Sequence, residues 1–177
     1  MSATAVNERL AALTAAGTSI WLDQLSRGLI ETGELARMVE QASLQGVTSN
    51  PAIFEKSIGH ADYDADIQRL VAEGKSAADT YRALALQDVQ AACDVLRPVY
   101  DRTDGFDGYV SWEVDPDLAH DTEGTIAQAR EYWNAVDRPN LMIKIPATEA
   151  GIPAIEQAIY EGLNVNVTLL FAVAAYA

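Results

Sequence analysis

Five short runs rich in β-branched and aromatic residues recur along the chain, at 19–25, 46–48, 108–114, 141–147 and 164–171, with helical periodicity between them. That alternation constrains the fold more than any other feature. Strands separated by helices imply right-handed βαβ units and a parallel sheet. Between the runs, Val6, Leu10 and Leu13 mark a first amphipathic helix stopped by Gly17, and Leu35, Met38, Val39 and Ala42 mark one that opens near Thr32 and closes at Gly46. Tyr63, Ile67, Leu70 and Val71 form a helical face closed by Gly74, and Ser76 caps a long helix expected to end before Pro98. Asp121 or Thr122 opens a helix bearing Ile126, Ala129, Trp133 and Val136, and Thr148 caps another bearing Ile152, Ile155 and Ile159, with Pro153 in its first turn and Gly162 at its end. No repeat, low-complexity tract or linker interrupts the pattern, so residues 1–177 read as a single domain.

Several polar residues sit where such strands are ordinarily apolar. Lys144 stands inside the run Leu141-Met142-Ile143-Lys144-Ile145-Pro146-Ala147, where a charge must be desolvated, paired or functional. An amine held out of water is more readily neutral and nucleophilic, which is what Schiff-base formation on a carbonyl requires; a snorkelling lysine with a wet head gives the same run. Asp23 closes the first run, as a candidate acid or base or as a turn or N-cap carboxylate before Ser26-Arg27-Gly28. Glu113 closes the third, as a catalytic group or a solvated strand end. Asn50, in Thr48-Ser49-Asn50-Pro51, is fully explained as a helix cap and is also placed to meet a substrate. The last run alternates Asn164, Asn166 and Thr168 with Val and Leu, so one face is polar; a solvated antiparallel edge and a barrel interior near its mouth both produce that pattern.

Twelve Lys and Arg against 26 Asp and Glu give a net charge of −14, a field that repels nucleic acid and anionic membrane surfaces. A phosphate-bearing substrate therefore needs a local cationic pocket. The single Cys93 suits a reducing cytosol, and no apolar run approaches the roughly 20 residues of a membrane span, so a soluble cytoplasmic protein is expected. His60 and His120 lack ligand spacing, and neither GxGxxG nor GxxxxGK[ST] occurs, so no metal or nucleotide site is expected.

Polar residues at the C-terminal ends of strands point to a (β/α)₈ barrel, whose active site lies at that face. Trp21-Leu22-Asp23, Thr48-Ser49-Asn50-Pro51, Val110-Ser111-Trp112-Glu113-Val114, Ile143-Lys144-Ile145-Pro146-Ala147-Thr148 and Asn164-Val165-Asn166-Val167-Thr168-Leu169-Leu170-Phe171 together resemble transaldolase, of the longer actinobacterial type. The resemblance implies a class I aldolase TIM barrel without metal or organic cofactor. It implies transfer of a dihydroxyacetone unit from sedoheptulose 7-phosphate to glyceraldehyde 3-phosphate in the non-oxidative pentose phosphate pathway, giving erythrose 4-phosphate and fructose 6-phosphate. On that reading Lys144 is the Schiff-base lysine and Asp23 exchanges the proton of the C4 hydroxyl. Glu113 works through a catalytic water that Thr168 helps to hold, and Asn50 and Asn166 bind the substrate or intermediate.

A closed barrel takes about 250 residues, so only about the first five strands are expected, without the family's phosphate-binding serine and arginines. Two other readings stand beside this one. One is a non-catalytic half-barrel that pairs an open edge with another chain or with a second copy of itself. The other is a related Schiff-base aldolase.

Overall fold

A computed structural model describes residues 6–176. Its elements follow the order α1 (Glu8–Ala15), β1 (Ile20–Leu22), α2 (Arg27–Glu31), α3 (Glu34–Gln41), β2 (Leu44–Thr48), α4 (Pro51–Ile58), α5 (Asp64–Ala72) and α6 (Ala77–Arg102), then β3 (Tyr109–Glu113), α7 (Thr122–Val136), β4 (Leu141–Pro146), α8 (Gly151–Tyr160), β5 (Val165–Thr168) and α9 (Val173–Tyr176). The strands form one five-stranded sheet in sequential order, and every neighbouring pair is parallel. This is an α/β half-barrel, part of a TIM barrel.

Sequential order with parallel pairing requires each connection to cross one face of the sheet, and the helices accordingly lie there. That face carries Val47, Val110, Leu141, Ile143 and Ile145, all fully buried. Trp112 joins them and stacks on Tyr132 of α7, ring centroids 3.9 Å apart. Burial in β4 alternates through Leu141, Met142, Ile143, Lys144 and Ile145, the period-two signature of a strand whose other face looks into a different environment. Because β5 pairs with β4 in parallel, its Asn and Thr face belongs to that same second face, not to an antiparallel edge.

Local signals explain most boundaries. Asn7, Ser26, Asn50, Ser76 and Asp121 each cap a helix with a side-chain oxygen, and Gly74 and Gly162 adopt positive φ just after α5 and α8. Thr148 accepts the Gly151 amide at 2.9 Å, but it is not the cap expected of it: the N-cap position of α8 is Ala150, which makes no side-chain capping bond. Cys93 is a wholly buried core residue of α6.

Three further readings are corrected. Gly46 is not a helix stop; it lies inside β2, and a Cβ there would sit 2.3 Å from the Trp21 ring. The preceding helix opens close to the expected Thr32, at Glu34 after Gly33, which has positive φ, but it ends at Gln41. Helix α6 does not end before Pro98 but continues to Arg102: Leu96 and Val99 on either side are fully buried, and that packing outweighs the roughly 3 kcal/mol of an interior proline. Finally, Val71, Ile152 and Ile159, taken as core-facing, are more than half exposed, because Leu70, Ala154 and Ala158 occupy the buried stripes of α5 and α8.

Candidate active site

In a parallel sheet, residues paired in register share a face. Trp21 pairs with Gly46, Thr48 with Ser111, Glu113 with Lys144, Lys144 with Asn166, and Pro146 with Thr168. These residues therefore line the face away from the helices. Trp21 lies flat across Gly46 there, which is why a residue without a side chain is required at that point.

Lys144 projects from the middle of β4, and its Nζ stands 3.5 Å from Glu113 Oε2, with the two side chains 13% and 19% exposed. Burial pushes the Glu113 carboxyl above its ordinary value; the Lys144 charge opposes that shift and the Asp23 charge adds to it. Glu113 thus holds its proton more tightly than a solvated glutamate while contacting an amine. A carboxyl group in that state can give a proton to a departing hydroxyl and take one from an ammonium.

Asn166 donates its amide to Ser111 Oγ at 2.9 Å, reaching from β5 across β4 to β3. Ser111 is fully buried, and its carbonyl accepts both the Ser49 amide and the Ser49 hydroxyl at 3.0 Å. Hydrogen bonds thereby link Ser49, just past β2, through Ser111 of β3 to Asn166 of β5. Next to Ser49, Thr48 Oγ1 is buried without a hydrogen-bond partner among the described residues.

The other expected residues fall around this centre. Asp23 lies in the irregular segment between β1 and α2, close enough for its charge to act on Glu113. The N-cap role weighed for it belongs to Ser26, whose hydroxyl accepts the Leu29 amide at 3.3 Å at the start of α2. Asp23 also borders a cavity of about 390 Å³ with Gln24, Ser26, Ile53, Lys56 and Ser57, a space whose lining does not include Lys144 or Glu113. Asn50 is engaged as the cap of α4, accepting the Ile53 amide at 2.9 Å. Thr168 lies one step beyond Asn166 on the same face and, among the described residues, makes no hydrogen bond to Lys144 or Glu113.

Two residues of the site escaped the sequence reading. Ser111 had a signal: it is a small polar residue two positions before Glu113, hence on the same face. Asp115, which had no signal in the sequence, accepts from Arg82 at 2.9 Å, Gln128 at 2.7 Å and Tyr132 at 3.1 Å; burial alone would raise its carboxyl, and these donors outweigh it and hold the carboxyl below the usual range. It fixes the end of the strand that carries Glu113.

The model of one protein family, transaldolase/fructose-6-phosphate aldolase, matches residues 20–177. The chain belongs to that family. It is 56% identical over 161 residues to transaldolase 2 of Nostoc punctiforme, covering 90% of this chain and 42% of that relative. It is 54% identical over 175 residues to transaldolase of Mycobacterium bovis, covering 98% and 47%, and 53% identical over 161 residues to transaldolase of Trichodesmium erythraeum, covering 90% and 42%. The chain spans somewhat under half the length of the curated relatives it matches. Among the described residues of this family member, no helix is long and apolar enough to cross a membrane.

Proposed function

We propose that this chain, as one barrel domain, carries the covalent chemistry of a transaldolase acting on sugar phosphates in the cytoplasm. The observation that carries the reading is the Lys144–Glu113 pair, an amine and a burial-shifted carboxyl 3.5 Å apart on the sheet face away from the helices. Lys144, as neutral amine, adds to the ketose carbonyl; the resulting hydroxyl leaves as water with a proton from Glu113, giving the iminium. Asp23 then takes the proton of the C4 hydroxyl as the C3–C4 bond breaks. The aldose departs, and the three-carbon enamine stays on Lys144 until it attacks the aldehyde of an acceptor. Asn166, oriented by Ser111, and Asn50 bind hydroxyls of the bound sugar, and Thr168 helps to hold the water used by Glu113. The residues present supply an electron sink in the iminium itself, so the reading needs no cofactor.

The family includes both transferases and an aldolase, and acceptor dependence separates them. In the protein as its own gene encodes it, fructose 6-phosphate is expected to turn over only when erythrose 4-phosphate is added. Release of free dihydroxyacetone at a comparable rate without acceptor would contradict the transferase reading and favour the aldolase.

A further inference from the structure

Asp23 occupies a segment with no regular structure, residues 23–26, yet its proposed work demands a fixed direction. Loops of this kind are ordinarily the mobile parts of a fold. Here the segment is pinned from three elements at once. The Leu25 side chain is fully buried and its carbonyl accepts the Ser57 hydroxyl of α4 at 2.8 Å. The Arg27 amide donates to the Tyr63 hydroxyl at 2.8 Å, and that hydroxyl donates in turn to Asp88 Oδ2 of α6 at 2.6 Å. Arg27 Nε reaches the other oxygen of Asp88 at 3.2 Å, a further guanidinium nitrogen meets Gln87 at 3.0 Å, and the guanidinium lies 4.5 Å over the Tyr63 ring.

Tyr63 and Asp88 are 0% and 3% exposed, and Arg27 is 8% exposed. A buried ion pair is a poor source of stability compared with apolar residues of the same volume. What it does provide is direction: Arg27 is held between Asp88 and Asp66, the latter at 2.5 Å, and Asp88 has Arg27 and Tyr63 as its partners.

We propose that Tyr63 is a positioning residue for Asp23: its hydroxyl, locked on Asp88, sets the backbone at Arg27 and hence the direction of the β1–α2 segment. This rests on the reading of Asp23 as the group that exchanges the C4 proton. Tyr63 touches no reacting atom and is not among the residues that line the cavity Asp23 borders. The network serves the cleavage step and not the amine chemistry of Lys144, which is carried by β3 and β4.

The test is a double-mutant cycle in the protein as its own gene encodes it, reading two steps separately with fructose 6-phosphate. Adduct formation is read by borohydride trapping and cleavage by release of glyceraldehyde 3-phosphate. Tyr63→Phe keeps the ring under Arg27 and is expected to leave trapping within about twofold while slowing cleavage about tenfold or more. Asp23→Asn slows the same step further, and the double variant is expected to be no slower than Asp23→Asn alone, because Tyr63 acts only through Asp23. If Tyr63→Phe does not fold, Ser57→Ala releases the same segment at Leu25 and is expected to give the same split. Full cleavage rate in Tyr63→Phe beside a crippled Asp23→Asn overturns the positioning role and leaves Asp23 standing. Equal loss of trapping and cleavage, or additive effects in the double variant, overturns it as well. An unaffected Asp23→Asn sinks the reading of Asp23 itself, and the positioning role with it.

Discussion

Replacing Glu113 by Gln keeps the shape of the side chain and removes only its ability to exchange a proton. In the structure that group stands 3.5 Å from Lys144 Nζ, is raised above its ordinary value of 4.5 chiefly by burial, and is the nearest titratable partner of the amine. Positioned proton transfer is worth about 10²–10⁴ in rate, or about 3–5 kcal/mol of barrier, and Glu113→Gln should slow adduct formation by that range. Single-turnover trapping with borohydride measures the step directly. Its pH dependence has a fixed sign when read against the variant: the acid form is needed for dehydration, so the ratio of the wild-type trapping rate to that of Glu113→Gln, in which the contribution of the Lys144 amine cancels, falls as pH rises through the raised Glu113 value. The stability linkage runs the same way. A carboxyl whose folded value is raised binds its proton more tightly in the native state, so its contribution is present below 4.5 and is lost as pH rises through the raised value. The wild-type protein should therefore lose stability relative to Glu113→Gln across that window, read from urea midpoints at a series of pH values. Trapping at the wild-type rate in Glu113→Gln, or its loss in Asp23→Asn with Glu113→Gln unaffected, would refute the division of labour.

The remaining expectations concern the frame around the site. Gly46→Ala sets a Cβ against the Trp21 ring at 2.3 Å, an overpacking worth about 1–3 kcal/mol, and at about 2–4 °C per kcal/mol the Tm should fall by roughly 2–12 °C; an unchanged Tm would mean the ring is free to move. Asp88→Ala takes one of two carboxylates from the buried Arg27, which keeps Asp66 at 2.5 Å, and leaves the buried Tyr63 hydroxyl without its acceptor, so it should cost about 1–3 kcal/mol in chemical denaturation, whereas Glu34→Ala, which removes the exposed partner of Arg37, should cost less than about 1 kcal/mol. Equal costs would contradict the burial argument. Ser111→Ala leaves the Asn166 amide without its acceptor and should raise KM for the sugar phosphate more than it lowers kcat.

The part of this protein written locally was the part that could be read from sequence. Lys144 was legible because a charge in a β-branched run breaks a period-two pattern that needs no partner to recognise, and the Asn and Thr face of β5 was legible for the same reason. Caps were legible because a cap is a contact within three residues. What was lost depends on contacts between distant segments. Gly46 looks like a helix stop until Trp21 of the neighbouring strand is laid across it, and Pro98 looks like a terminus until Leu96 and Val99 are seen to be buried on either side. The bond from Asn166 to Ser111 spans 55 residues and skips a strand, and Arg27 meets Asp88 across 61 residues. Both joins follow from the order of the sheet and its helices, which no single window of sequence contains. The capping of α4 by Asn50 shows the converse: a local role that is fully realised says nothing against a second one on the amide nitrogen.

The central claim is that the amine at Lys144 forms the covalent bond to the substrate. It is tested most directly by reducing the protein with borohydride in the presence of fructose 6-phosphate and mapping the modified peptide by mass. The account predicts one adduct, on the peptide that carries Lys144, and its disappearance together with turnover in Lys144→Arg, which keeps the charge but offers no usable nucleophile. An adduct on Lys56 or Lys75, or undiminished turnover in Lys144→Arg, would contradict it.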